Sequence, residues 1–149
     1  MKKGFTLVEL MMVIVIVGIL VAIALPKYNE SLERGRALEG INVLKEVSDA
    51  LNAQYILDGN VYNKPSLANL DFPRAKYFSI PTYVSGSNSN VTVTRAEWGY
   101  TLTAENSNGM LDRIICSDMN DGEDCAIIGI TDEYGEYGGY GLYVLDMSN

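Results

Sequence analysis

Met1-Lys2-Lys3-Gly4-Phe5-Thr6-Leu7-Val8-Glu9-Leu10 opens the chain, and an uncharged run continues from Leu10 to Pro26. The lone carboxylate of Glu9 decides how this stretch is read. An ionisable side chain at membrane depth is costly and marks a functional position by default. Phe5 to Leu25 gives about 31 Å of helix at 1.5 Å per residue, the thickness of a bilayer's hydrocarbon core. Lys2 and Lys3 precede it, so the positive-inside rule places the N-terminus in the cytoplasm and the remainder outside. Val13, Ile14, Val15, Ile16 and Val17 are β-branched, which suits lipid better than an isolated helix in water.

Two lysines, an apolar stretch and Ala22-Ile23-Ala24 also fit a secretory signal peptide. Pro26 just past that cut, Glu9 within the apolar region, and an amphipathic segment continuing without a break weigh against it. A plain single-span anchor gives no role to Gly4-Phe5, Thr6 or Glu9. Cleavage after Gly4 would leave Phe5 with a free amine one helical turn before Glu9. That arrangement suits a subunit that pairs with its own kind.

Lys2-Lys3-Gly4-Phe5-Thr6-Leu7-Val8-Glu9 resembles the prepilin signature of type IV pilins and of type II secretion pseudopilins. The resemblance covers about the first 26 residues directly, and the remainder agrees in layout. It implies that a prepilin peptidase cuts after Gly4 and that the new amine of Phe5 is methylated. It further implies that Glu9 meets the amine of a neighbouring subunit during assembly. The partners implied are other copies of the chain or related pilins, the peptidase, an inner-membrane assembly platform, and membrane lipid before assembly. The implied location is the inner membrane, single-pass, and then an extracellular pilus or a periplasmic pseudopilus.

The 149 residues allow one compact domain beside a membrane segment. Roughly 90 of them remain for a head, a size that benefits from a covalent staple. The formal charge is −8, and −10 without Lys2 and Lys3. That balance disfavours sequence-independent contact with phosphate backbones, and no specific nucleic acid is expected. Histidine is absent, which removes the usual near-neutral general base and the commonest metal ligand.

Beyond Pro26 the pattern turns amphipathic from Tyr28 to Asp58. Leu38, Ile41, Leu44, Val47, Leu51 and Tyr55 recur at spacings of three or four, one buried helical face. Glu30, Glu33, Arg34, Arg36, Glu39, Lys45, Glu46 and Asp49 fill the other positions. Gly59 is the expected stop. Residues 5–58 together predict one helix about 80 Å long, bent at Pro26 and weakened at Gly18, Gly35 and Gly40. The organisation expected is a leader at 1–4, an assembly helix at 5–26, an amphipathic stem at 27–59 and a head at 60–149.

Residues 60–90 read as a connecting loop holding Pro65, Pro73 and Pro81. Residues 90–95 alternate Val91 and Val93 with threonines, and Trp98, Tyr100, Leu102 and Ala104 line a second strand. Asn106-Ser107-Asn108-Gly109 signals a turn into a return strand over 110–116. The fold class expected is α+β, type IV pilin-like: a long N-terminal helix packed on a small antiparallel β-sheet head. Tyr134, Tyr137, Tyr140 and Tyr143 fall among glycines, read as an irregular segment before a last strand over 141–146, with an adhesive aromatic surface as the other reading.

Cys116 and Cys125 enclose an acidic octapeptide. Outside the cytoplasm a disulfide is permitted, and closing so short a loop stabilises by roughly 2.5 kcal/mol on the chain-entropy model. A redox-active pair lacks the Cys-x-x-Cys spacing and an adjacent basic residue. Asp118, Asn120, Asp121 and Asp124 supply oxygens of the type that hold Ca²⁺, although the order runs one residue short of a calcium loop. The two readings are a calcium site and a solvated acidic loop, and no other cofactor is expected. No nucleophile elbow, phosphate-binding glycine loop or usual metal-ligand cluster is present in the sequence, so an enzyme is not expected. The function expected is a structural subunit of a type IV pilus. The alternative is a type II secretion pseudopilin, against which the cysteine pair and Val61-Tyr62-Asn63-Lys64-Pro65 lean.

Overall fold

The computed structural model describes residues 4–57, 75–84, 89–107, 110–118, 122–137 and 140–146. Helix α1 runs Leu7–Leu57, about 77 Å at 1.5 Å per residue. It passes through Pro26 as unbroken helix, although that ring leaves the carbonyl of Ala22 without its i+4 donor. The most apolar window of α1 is long enough to cross a membrane, and none of it is buried against the protein. The expected stop at Asp58-Gly59 lies outside the described residues.

Six strands form an antiparallel sheet over the second half of α1: β1 Thr82–Val84, β2 Ser89–Arg95, β3 Tyr100–Ser107, β4 Met110–Asp118, β5 Asp132–Tyr137 and β6 Tyr140–Asp146. Their order across the sheet is β1-β2-β3-β4-β6-β5. A short helix α2, Glu123–Ile127, fills the connection from β4 to β5. Register places Val93 beside Leu102, Leu102 beside Cys116, and Cys116 beside Tyr143. Val91, Val93, Tyr100, Leu102, Ala104, Ile114 and Cys116 point down and are fully buried. Thr92 and Thr103 pair on the opposite face, with their hydroxyls 3.0 Å apart. The period of two thus sorts apolar residues onto the helix and hydroxyls outward.

Ile41, Val43, Leu44, Val47 and Leu51 of α1 close the core, joined by Phe78 from the segment that crosses the helix. Burying each such aliphatic side chain contributes about 1.5–3 kcal/mol. The crossing needs a bare helix surface at Gly40, where an added Cβ would lie 2.8 Å from the Phe78 ring. The α+β class and the helix-on-sheet arrangement are as the sequence predicts.

Several details differ. Leu38 is 59% exposed, on the side of α1 turned from the sheet, because the stripe drifts at 3.6 residues per turn and runs instead through Ala37, Gly40, Ile41, Leu44, Val47, Ser48 and Leu51. Glu33, expected on the charged face, is wholly buried. Trp98 precedes β3 in a turn that ends at Gly99 with φ 74°. Residues 132–137 are strand β5, not an irregular segment, since pairing with β6 outweighs their glycine content. Part of the expected connecting loop is β1 and the start of β2; its stretches 60–74 and 85–88 lie outside the described residues, as do Asn108 and Gly109.

Candidate assembly site

The first helical turn is organised by Thr6. Its backbone N–H and its hydroxyl both donate to Oε2 of Glu9, each at 2.8 Å. In return the Glu9 amide donates to Oγ1 of Thr6 at 3.3 Å. This reciprocal pattern is a capping box: a threonine before the helix and a glutamate three residues on satisfy two otherwise orphaned amides. The carboxylate also sits at the positive end of the helix dipole. Glu9 is therefore partnered within its own chain, and both donor contacts fall on one oxygen. Thr6-x-x-Glu9 ahead of an apolar run was the sequence signal for this. Phe5, 85% exposed, lies beside it, and every residue from Gly4 to Asn29 is exposed. Lys2 and Lys3 lie outside the described residues.

Where α1 enters the head, a polar group is buried. Arg95 donates through Nε to Oε1 of Glu33 at 2.9 Å and through Nη2 to Oε2 at 3.3 Å. The Tyr100 hydroxyl donates to Oε1 at 3.0 Å, and Arg36 donates to Oε2 at 3.2 Å. Burial alone would push the Glu33 carboxyl up, but the Arg95 and Tyr100 hydrogen bonds, the Arg95 charge and Arg36 together hold it below the usual carboxylate range. The hydrogen bonds that Arg95 donates to Glu33 raise Arg95. Burial first, and then the Glu33 charge, push the Tyr100 phenol well up. Arg95 also donates to Glu97 at 2.8 Å, and the Tyr77 ring stacks 4.6 Å from the Arg36 guanidinium. This anchor escaped the sequence reading, yet two signals mark it. Glu33 lies one turn before Ala37 on the buried stripe, and Arg95 takes the inward position after Val91 and Val93.

Cys116 and Cys125 form a disulfide with Cα atoms 5.9 Å apart, and both are fully buried. Asp118 is not a free acid of a solvated loop. It is 1% exposed, and its two oxygens accept the amides of Gly122 at 2.7 Å and Cys125 at 3.0 Å. Asp124 is also buried; Asn120 and Asp121 lie outside the described residues. Among the described residues no group of three His, Cys, Asp or Glu side chains is placed to hold a metal. Of the four tyrosines, Tyr143 packs against the core, and the side chains of Tyr134, Tyr137 and Tyr140 lie outside the described features.

A family described as the prokaryotic N-terminal methylation motif matches residues 1–25. The chain is 51% identical over 43 residues to a type IV major fimbrial protein of Dichelobacter nodosus, covering 29% of this chain and 27% of that one. It is 37% identical over 90 residues to a type IV major pilin of Neisseria gonorrhoeae, covering 58% and 42%. With a fimbrial protein of Eikenella corrodens it shares 36% identity over 101 residues, 66% and 65% of the two chains. The match thus spans about a quarter of the length of the Dichelobacter protein. No solved structure matches significantly.

Proposed function

We propose that this chain, which belongs to the type IV pilin family, is a structural subunit of a pilus that polymerises through α1. One observation carries the reading: a helix of membrane-spanning length and apolarity leaves the head with no side buried, and it bears a single capped carboxylate at its start. An apolar surface of that extent must be covered by lipid or by other copies.

In this reading a prepilin peptidase cuts after Gly4, and methylation follows at Phe5. The new amine of one subunit then meets Glu9 of another. Glu9 suits that role because the capping box uses Oε2 and the side chain is exposed. An amine arriving at an already oriented carboxylate forms a charge-assisted hydrogen bond without a search through rotamers. Before assembly the subunit sits in the inner membrane with its N-terminus in the cytoplasm, and an assembly platform extracts it into the fibre. The head, an acidic sheet with a stapled loop, carries no catalytic role in this reading.

Electron microscopy of sheared surface filaments, with mass spectrometry of their subunits, tests it. The expected result is fibres built of a chain that begins with N-methylated Phe5. Fibres lacking this chain, or a mature protein starting elsewhere, would overturn it.

A further inference from the structure

We infer that the groove on the outward face of the stem seats the stem of a second copy, with that copy's Lys27 received between Glu39 and Glu46. The inference rests on the polymerising reading above and names a contact within it. The groove encloses about 390 Å³, floored by Gly35, Leu38, Val43 and Ala75 and rimmed by Glu39 and Glu46. Among the described residues its helix positions Gly35, Leu38, Asn42 and Glu46 lie on the side of α1 away from the buried stripe. Gly35, Leu38, Asn42 and Glu46 follow one another at spacings of three and four, and all are exposed.

Continuity with the apolar half of α1 points to a helix as the occupant. Tyr28 is 61% exposed, Leu32 39% and Leu38 59%. With Gly35 they form a band at helical spacing from the membrane-spanning run up to the groove. A soluble helix has no use for an apolar band on the side away from its core. At Gly35 a Cβ would meet nothing within 4 Å, so among the described residues the missing side chain serves no contact inside this subunit. A bare helix position of that kind lets a second backbone approach closely.

Charge then selects the copy. Lys27 is the only Lys or Arg between residues 4 and 33, and it is exposed at the outer end of the apolar run. In a bilayer its ammonium reaches water and headgroups. Once the stem leaves lipid for a fibre, that charge needs an anionic partner or is desolvated alone. Glu39 and Glu46 lie further along the same helix by about 18 and 29 Å, beyond reach of their own Lys27. They flank the Lys27 of a copy displaced along the axis by a distance between those two values. Glu39 already holds the Lys76 amide through Oε1 at 2.6 Å, which fixes the rim in place. The two contacting faces differ, so the contact is heterologous and repeats without closing.

Charge exchange in the full-length chain tests this, scored by sheared filament yield beside subunit level in the membrane. Lys27→Glu is expected to cut filament yield at least tenfold at unchanged subunit level, and Glu39→Lys with Glu46→Lys to do the same. Combining all three is expected to restore fibres. Lys27→Cys with Glu46→Cys should give a ladder of disulfide-linked multimers in intact fibres. Wild-type yield from Lys27→Glu, or no rescue together with no ladder, would overturn the contact while leaving the pilus reading intact. Loss of fibres with Glu30→Gln to the same degree, with no rescue by the exchange, would assign Lys27 to its own helix instead. Absence of fibres from the wild-type chain would overturn both.

Discussion

Arg95 and Glu33, 62 residues apart in the chain, meet inside the head through Nε–Oε1 and Nη2–Oε2 contacts of 2.9 and 3.3 Å. Both are essentially without solvent exposure. Such a pair contributes little against an apolar pair of similar size, but losing one member leaves the other charge buried alone. Arg95→Met is therefore expected to destabilise the head by about 3–5 kcal/mol. Arg95→Met with Glu33→Met should recover most of that. Chemical denaturation of the wild type and the two variants, followed by circular dichroism, measures both.

Acid should weaken the same anchor. The Glu33 carboxyl is held below its ordinary value of 4.5 in the folded state, so its contribution is complete above that value and fades as pH falls through the lowered one. Melting temperature is expected to drop on acidification below about pH 4.5. Glu33→Gln should be less stable near neutrality and should show a shallower acid slope. An unchanged slope would contradict the assignment.

At Gly122 the backbone has φ 86°, and a Cβ would fall 1.9 Å from the Tyr143 ring. Gly122→Ala meets both the left-handed conformation and the ring, and it disturbs the amide that Asp118 accepts. A loss of about 2–4 kcal/mol is expected, measurable as a fall in melting temperature with the disulfide still formed.

Reduction of Cys116–Cys125, which closes a loop of sequence separation 9, should cost roughly 2.5 kcal/mol. The pair is buried, so a mild reductant is expected to act on the native head only after partial unfolding. Thiol labelling against denaturant concentration reads this directly.

Glu9→Ala and Thr6→Val should separate folding from assembly. Both side chains are exposed, and among the described residues neither touches the head, so the head's melting temperature is expected to match the wild type. Filament yield should fall sharply with Glu9→Ala and less with Thr6→Val, which loses the cap but keeps the carboxylate. Normal fibres from Glu9→Ala would end the assembly role given to that residue.

The stem was legible because its signals are periodic and local: an apolar run, then a stripe at helical spacing, then alternation in β2 and β3. What escaped notice depended on partners distant in sequence. Glu33 looks like any surface glutamate until Arg95 and Tyr100 are brought onto it from β2 and β3. The Tyr134–Tyr137 segment becomes a strand only through β6, since Gly135 disfavours strand on its own. Leu38 is apolar at a plausible spacing, yet a drift of one position sets it on the outer face. Of the N-terminal site, Phe5 and Glu9 stood out by type. The role of Thr6 lies in its three-residue spacing to Glu9, which becomes a set of hydrogen bonds only once the first helical turn forms.

The docked part of the stem begins at Glu33, and below it every residue from Leu7 to Asn29 is exposed. Tension on a fibre would therefore enter each head at that point. Pulled along the helix axis, the contacts from Glu33 to Leu51 are loaded in shear, so they share the force and do not peel one after another. The bidentate Glu33–Arg95 contact stands at the loaded end, where a directional bond resists slip better than apolar packing, which gives way by sliding.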